Sequence, residues 1–538
     1  MSINRTLKRS LQEKLLDQYK KAIKETNFIE LEDLEPKLEK VLRHPNNLIL
    51  LGDAYKFSHH KFYPDNTTKV YSYLESRGGK FSETVFFGLQ IFIKEYLEGI
   101  AILPEDVDEA YEYLGTKLGV FGRDDVFDRT KFDYIVNVHG GKLPVIIHAV
   151  PEGTVVGTKN VLLTIENTDP NCAWLTNFLE TLLLQIWYPI TVSTLSREVK
   201  KIATKYWRKT TDLPIEVQDF CMNFVLNDFG FRGVSSVQSA TIGGMAHLVN
   251  FLGSDTTIAS QGVFKYYNSD LVGASVPATE HSIMTIKGEA GEIEMMRRTL
   301  EKFPTGIVAC VSDSFNIFKA CAEKWGSELK DLILSRPAEP GNQLVIRPDS
   351  GHPCRTLEAI FEILFYSFGF TENSKGYKTL PPQIRVIQGD GVNINSIIEI
   401  YEMMDRLKIS AENIVFGMGG KLLQAGIDRD TQNFATKAAF AVVDGVEVDV
   451  IKSPTEMDEN GNITASFKKS KSGRLKLVKD YNMDFKHTGY VTITSKDDFY
   501  NHVVDELMPV FENGVHLNEW TFEQVRERAG LVEELETV

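Results

Sequence analysis

The sequence predicts an α/β protein of at least two domains, and three observations predict it. First, four apolar runs between residues 305 and 420 stop at polar, glycine-rich turns. Runs 307–311, 344–346, 386–387 and 414–416 end in Ser312-Asp313-Ser314, Arg347-Pro348-Asp349-Ser350-Gly351, Gln388-Gly389-Asp390-Gly391 and Gly417-Met418-Gly419-Gly420. Second, helical stripes follow the first three turns, at Phe315, Ile317, Phe318, Cys321, at Leu357, Ile360, Phe361, Leu364 and at Ile394, Ile397, Ile398, Tyr401. Strand, turn and helix in that order mark βα units whose strand ends carry chemistry. Third, 538 residues exceed what one compact core holds.

Residues 1–45 read as a helical extension, with Leu7, Leu11, Leu15, Leu16, Tyr19 and Ile23 at helical spacing among Lys and Glu. The plainer reading is a helix packed on the protein's own surface, and the alternative is a partner-docking helix. Residues 46–190 mix strand-like pieces (48–51, 70–74, 145–150, 161–165) with helical ones (88–97, 106–114). The most apolar stretch, 174–192, contains Asn177, Glu180 and Gln185, too polar and short to span a bilayer, and reads as a buried helix. Residues 191–427 hold the βα-rich region. Its polar insertion at 371–382 is long enough to be a lid. From 428 to 538, strands at 440–450 and 490–494 and a last helix suggest a return to the first domain. The basic run Lys468, Lys469, Lys471, Arg474 follows a turn-rich segment, and charge pattern alone favours a solvated hairpin tip.

Composition narrows the function. A formal net charge of −15 argues against nucleic acid or an anionic membrane as the main partner, so an anionic substrate needs a local basic cluster. The N-terminus lacks an apolar signal core, and the five cysteines are scattered without metal-ligand spacing. Both point to reduced thiols in a cytoplasmic protein.

The strand-end turns supply the candidate chemistry. Asp313, Asp349 and Asp390 either cap the helices that follow or hold Mg²⁺ and ribose hydroxyls, and three at successive strand ends favour a site. Arg347 stands where a guanidinium can grip phosphate bidentately. Gly419 and Gly420 either make a tight turn or bring backbone N–H groups to a phosphate. Phe229 and Arg232, in Asn227-Asp228-Phe229-Gly230-Phe231-Arg232-Gly233, offer a ring face to a flat heterocycle, although a Phe in such a loop is more often a core anchor. His281, alone in its segment, reads as structural or as a simple hydrogen-bond partner.

These segments, together with Asp53-Ala54-Tyr55-Lys56, Tyr71-Ser72-Tyr73 with Arg77, and Ser275-Val276-Pro277-Ala278-Thr279-Glu280-His281, resemble the nicotinamide phosphoribosyltransferases of the type II phosphoribosyltransferase family. The likeness runs in order from about residue 48 to the C-terminus. It implies an irregular α/β barrel with a second mixed α/β domain built from N- and C-terminal segments. It also implies a homodimer with shared active sites, and transfer of a phosphoribosyl group from phosphoribosyl pyrophosphate to nicotinamide, giving the mononucleotide and pyrophosphate.

Carried over by position, the resemblance stacks the base between Phe229 and the partner subunit's Tyr55. Asp255 accepts from the carboxamide, and Asp53 and Arg232 stand nearby. Asp349, Gly389 and Asp390 hold the ribose. Gly419 and Gly420 take the 5′-phosphate, with Arg429 and Lys437 arriving across the interface. Arg77, Lys452, Lys468 and Ser275 surround the pyrophosphate, and Asp313 and Asp349 stand near Mg²⁺. His281 is implied to be phosphorylated from ATP, which favours the forward reaction. Such chemistry needs electrostatic stabilisation of a leaving pyrophosphate and no nucleophile on carbon, in keeping with a chain that shows no Ser–His or Cys–His arrangement. The sequence departs from the family at Lys421, where a third glycine is expected, at Ala425-Gly426, which lengthens the approach to Arg429, and at Ala309, where a serine is expected. A nicotinate enzyme and a silent sugar-phosphate binder are the alternatives.

Overall fold

The computed structural model describes residues 2–25, 28–43, 46–115, 125–271, 273–457, 463–465, 469–480 and 489–531. The chain divides into two units, Met1–Ile190 with Arg429–Arg528, and Thr191–Asp428 with Ala529–Val538.

The first unit is built on an antiparallel sheet in the order Val446–Asp449, Phe434–Val443, Thr67–Ser76, Val161–Asn167, Val145–Ala149, Met508–Glu512, Val515–His516. Its central strand, Thr67–Ser76, is buried from Val70 to Ser76 and pairs Tyr73 with Lys437 on one side and with Thr164 on the other. The expected run at 440–450 is two strands joined at Asp444-Gly445, both at positive φ (52° and 75°), as a tight hairpin requires. The expected strand at 48–51 is instead a 3₁₀ turn, Leu48–Leu50, because the Asn47 side chain accepts from the Ile49 N–H at 3.0 Å and offers the backbone a local alternative to pairing.

Residues set apart as an N-terminal extension belong to this first unit. They form two helices, Ser2–Glu25 and Phe28–Arg43, and Leu15, Ala22, Leu34 and Leu38 bury themselves against Leu103. Lys40 pairs with Asp106, each side chain only 7% exposed. The Asp106 carboxylate also accepts from the Leu103 N–H at 2.8 Å, so the buried pair is well satisfied. The basic run is more structural than a solvated tip. Lys471 pairs with Glu75, and the Arg474 guanidinium meets Glu166 at 3.0 Å and lies 4.7 Å from the Phe440 ring centre. Lys468 lies outside the described residues.

The second unit holds a parallel sheet in the order Leu226–Asp228, Ile414–Met418, Ile384–Gln388, Leu344–Arg347, Val308–Val311. Two short segments close it into a ring. Ser254 pairs with Asp228, Ala274 with Gly253, and Ala278 with Ala309, all in parallel. The closing hydrogen bonds include Ser254 N–H to Ala274 O at 2.9 Å and Thr279 N–H to Ala309 O at 3.0 Å. This is an irregular α/β barrel. Alternate strand residues divide the core: Leu344, Ile346, Val386, Ile414 and Phe416 are fully buried, while Ala309, Val345 and Ile387 form a separate cluster with Phe229 and Val415.

Residues 371–382 are a pinned hairpin rather than a lid. Thr371–Glu372 pairs with Lys378–Thr379, and Asn373 donates to Thr210 O at 2.8 Å. Tyr377, 4% exposed, donates to Asp405 at 2.6 Å. The stretch 174–192, expected as one buried helix, falls within three helical pieces, Ala173–Phe178, Glu180–Leu184 and Trp187–Thr210. Among the described residues no helix is long and apolar enough to cross a membrane.

Candidate active site

The strand ends of the barrel bring the candidate residues together around one glycine. A Cβ built on Gly389 would lie 3.5 Å from Asp349 Oδ1, 3.8 Å from Phe229 Cε2 and 3.9 Å from Arg347 Cδ. The Phe229 backbone follows strand Leu226–Asp228 and is fixed by its N–H donating to Met418 O at 3.0 Å. Its ring lies against Gly417, where a Cβ would stand 2.0 Å from Phe229 Cε2. On the far side of Asp228, Asp255 donates its N–H to Asp228 O at 2.9 Å. The Asp255 carboxylate is exposed and accepts from the Ser275 hydroxyl. Ser275, grouped on sequence with the pyrophosphate residues, thus stands beside Asp255.

A second set surrounds Asp313, which follows strand Val308–Val311. The turn is anchored by Ser312, whose hydroxyl accepts from Trp325 Nε1 at 3.0 Å and donates to Cys310 O at 2.9 Å. Asp313 Oδ1 is 3.0 Å from His281 Nε2, while Oδ2 accepts from the Asp349 N–H at 3.1 Å and the Ser350 hydroxyl at 2.6 Å. Burial, with only 4% of the side chain exposed, raises this carboxyl, but the hydrogen bonds from Ser350, His281 and Asp349 outweigh burial and hold it below the usual carboxylate range. His281 reaches this position because Thr279 is clamped to the neighbouring strand, its hydroxyl accepting from the Val311 N–H at 3.0 Å.

Arg347 Nη2 lies 3.4 Å from Asp349 Oδ2, at the long end of a hydrogen bond, and Arg347 Nε is buried with no partner among the described residues. Ser314 Oγ and Gln388 Oε1, on neighbouring strand-end turns, are also buried and unpartnered. Buried polar atoms without partners among the described residues are open to a hydrogen bond from another molecule or a water. Gln388 donates its Nε2 to Asp390 O at 2.7 Å, which shapes the turn carrying the exposed Asp390. At Gly233 a Cβ would lie 3.0 Å from Gly420 Cα, so the Phe229–Gly233 loop and the Gly419-Gly420 turn run in backbone contact. Arg232 is exposed on that loop.

The first unit contains a cation cluster of its own. Lys437 sits on strand Phe434–Val443 and donates to Thr436 O at 2.7 Å. Burial lowers its ammonium pKa, Glu180 opposes, and the like charges of Arg77, Lys452 and Arg429 lower it further. Arg77, Lys452 and Arg429 thus each lie within electrostatic reach of Lys437. The Arg77 Nε meets Glu75 at 3.1 Å, but its Nη2 is buried without a partner among the described residues. Arg429 and Lys437, assigned on sequence to the 5′-phosphate, are here grouped with Arg77 and Lys452, assigned to the pyrophosphate. Tyr55 is 58% exposed and meets His59 edge-on at 4.8 Å, while Asp53 accepts from the Thr181 hydroxyl at 2.7 Å.

Comparison with known proteins decides the family. Over 493 residues the chain is 43% identical to the nicotinamide phosphoribosyltransferase of Xanthomonas campestris, covering 91% of this chain and 99% of that one. This chain belongs to the nicotinamide phosphoribosyltransferase family. It is also 32% identical to the nicotinamide phosphoribosyltransferase of Acinetobacter baylyi over 521 residues, covering 90% and 97% of the two chains. Residues 47–147 match the nicotinamide phosphoribosyltransferase N-terminal domain, and residues 224–485 match the nicotinate phosphoribosyltransferase (NAPRTase) family. In fold, the chain resembles the nicotinate-nucleotide pyrophosphorylase of Pyrococcus furiosus, with a TM-score of 0.51 at 15% identity, covering 90% of this chain and 95% of that one.

Within this family frame, Ala309 lies in the apolar cluster against Phe229, so that wall of the barrel interior is apolar where a serine was expected. Three residues escaped the sequence reading: Asp228, Ser314 and Gln388. Asp228 is wholly buried, and burial pushes its carboxyl up to about 6. Its Oδ1 accepts from the Gly230 N–H at 2.7 Å, fixing the loop that carries Phe229. A polar residue ending an apolar strand just before the aromatic platform was the available signal.

Proposed function

We propose that the protein transfers the 5-phosphoribosyl group of phosphoribosyl pyrophosphate to nicotinamide, forming nicotinamide mononucleotide and pyrophosphate in NAD salvage. One observation carries the reading: an aromatic face, a guanidinium with an open nitrogen and a carboxylate all approach Gly389 at one end of a barrel. Those groups suit a flat base, a phosphate and a ribose respectively. The nicotinamide ring nitrogen attacks the anomeric carbon, the bond from that carbon to the pyrophosphate oxygen breaks, and no proton moves. Phe229 orients the ring, Asp255 accepts from the carboxamide, and Asp349 and Asp390 hold ribose hydroxyls. Arg347 and the cluster of Arg77, Arg429, Lys437 and Lys452 stabilise phosphate charge as it develops.

Asp313 and Asp349 fit Mg²⁺, which accepts one or two carboxylates and completes its shell with water and phosphate oxygens. Bound there, Mg²⁺ would neutralise charge on the leaving pyrophosphate. Asp313 supports this role because the fold keeps it ionised.

The reading includes two finer elements. His281 accepts the terminal phosphoryl group of ATP, releasing ADP; with Nε2 turned to Asp313, Nδ1 is the nitrogen left to attack. The phosphohistidine then adds negative charge beside the metal site and favours the forward reaction. The assembly is a homodimer in which the first unit of one subunit completes the barrel mouth of the other. Free thiols at all five cysteines support the cytoplasm as its compartment.

Incubation with nicotinamide, phosphoribosyl pyrophosphate and Mg²⁺, with and without ATP, tests the reaction. Mononucleotide must form, in preference to the nicotinate product, and label from γ-labelled ATP must appear at His281. Absence of mononucleotide overturns the activity; label elsewhere overturns the coupling. Coexpression of Phe229→Ala with Lys437→Ala tests the shared site, since a mixed dimer regains one intact site and restores about a quarter of wild-type activity.

A further inference from the structure

The first unit contains a second cluster, remote in sequence from every residue assigned to the reaction. Glu98 follows the helical segment Ile93–Leu97, His516 lies on strand Val515–His516, and Glu519 follows in the adjoining loop. One potential ligand atom from each lies within 4.8 Å of the others. The His516 side chain is only 1% exposed, and its Nδ1 is buried with no hydrogen-bond partner among the described residues. That nitrogen stands 3.7 Å from Glu519 Oε1, too far for a hydrogen bond. Two ligands on one tetrahedral ion, each at about 2.1 Å, stand roughly 3.4 Å apart, so the gap suits a shared ion.

The surroundings agree. Lys94 pairs with Glu519 through Oε2, at 2.5 Å, and leaves Oε1 directed at the histidine. This orients the carboxylate as an outer partner of a metal ligand does. His516 also lines a small cleft with Gln90, Glu152 and Asn518.

We propose that Glu98, His516 and Glu519 bind a divalent transition-metal ion, with Zn²⁺ as its best representative. One imidazole and two carboxylates form a borderline donor set that suits Zn²⁺ over Mg²⁺ or Ca²⁺, and three protein ligands leave a position for water. The ion ties the end of helical segment Ile93–Leu97 to the C-terminal hairpin, which already meet where the Gly99 N–H donates to Gly514 O at 2.8 Å. Its role is structural. The other His-containing group among the described residues, His139, Asp169 and Cys172, is a weaker candidate. Asp169 already accepts from His139, Tyr134 and Asn171.

The test is equilibrium dialysis of the chelator-stripped protein against Zn²⁺, with bound metal counted per chain and thermal unfolding followed in parallel. The expected result is one more equivalent bound by wild type than by His516→Ala, and a rise in Tm of several degrees on Zn²⁺ addition that the variant lacks. Glu519→Gln changes a half-exposed side chain, so it should fold normally, and should weaken binding roughly tenfold or more. His139→Gln should bind as wild type does. Equal Zn²⁺ binding by wild type, His516→Ala and Glu519→Gln overturns the proposal, as does loss confined to His139→Gln.

Discussion

Gly417 is the floor on which the Phe229 ring rests: a Cβ at 417 would come within 2.0 Å of Phe229 Cε2 and 2.2 Å of Cδ2. No rotation of a methyl group relieves such an overlap, so the ring or the strand must move. Gly417→Ala should displace the base platform at a cost of about 1–3 kcal/mol. The expected reading is a KM for nicotinamide raised roughly tenfold or more, with the KM for phosphoribosyl pyrophosphate little changed. An unchanged nicotinamide KM would remove Phe229 from base binding.

Asp255 should select the amide over the acid. A nicotinate carboxylate held about 4 Å from it meets a repulsion of about 4 kcal/mol at an effective dielectric near 20. Half of that, about 2 kcal/mol, still exceeds a tenfold preference. Asp255→Asn should lose most of it, measured as the ratio of kcat/KM for the two bases. An unaltered ratio would free Asp255 of this role.

Lys437 should matter most to the phosphorylated substrate. Lys437→Met removes a half-buried cation from a set that includes Arg77, Arg429 and Lys452. The loss of a charge-assisted contact is worth about 1.5–3 kcal/mol, or roughly tenfold to a hundredfold in kcat/KM for phosphoribosyl pyrophosphate. Added salt should slow the wild type more than the variant, because screening acts on the charge already missing. A normal response to phosphoribosyl pyrophosphate would place the anion elsewhere.

Asp228 sets a pH dependence of stability. Its carboxyl is raised to about 6 in the fold, above the unfolded value near 4, because burial disfavours the charge. Between those values the native state holds a proton that the unfolded state has lost, so stability falls as pH rises. The contribution is complete below about pH 4 and gone above about pH 6, a span on the order of 2–3 kcal/mol. Asp228→Asn keeps the acceptor for the Gly230 N–H and has no charge to bury. It should gain on wild type in urea unfolding as pH rises from 4 to 7. A constant gap across that range would show that Asp228 does not titrate there.

Sequence patterns located the strands that end in Asp313, Asp349, Asp390 and Gly419, because apolar runs stopping at glycine-rich turns are a local signal. They did not reveal how the barrel closes. Segments 253–254 and 273–279 join it through single bridges, too short to show strand periodicity. The lid expected at 371–382 failed because its partners, Thr210 and Asp405, are distant in sequence and polar length alone does not report anchoring. The candidate site was legible through its loops, where aromatic, acidic and basic residues stand in recognisable order. The gathering of Arg77 with Lys437 and Lys452 depends instead on the pairing of strand Thr67–Ser76 with Phe434–Val443, which local pattern does not show.

That same pairing governs when the molecule can be completed during synthesis. The central strand of the antiparallel sheet emerges from the ribosome early, yet its partner follows only after the whole parallel barrel has been made. The barrel strands are close in sequence and can form first, while the opening segment waits with one edge uncovered. A chain stopped after the last barrel strand, Ile414–Met418, but before residue 434 would therefore carry the barrel strands and an orphaned strand, a species inclined to aggregate.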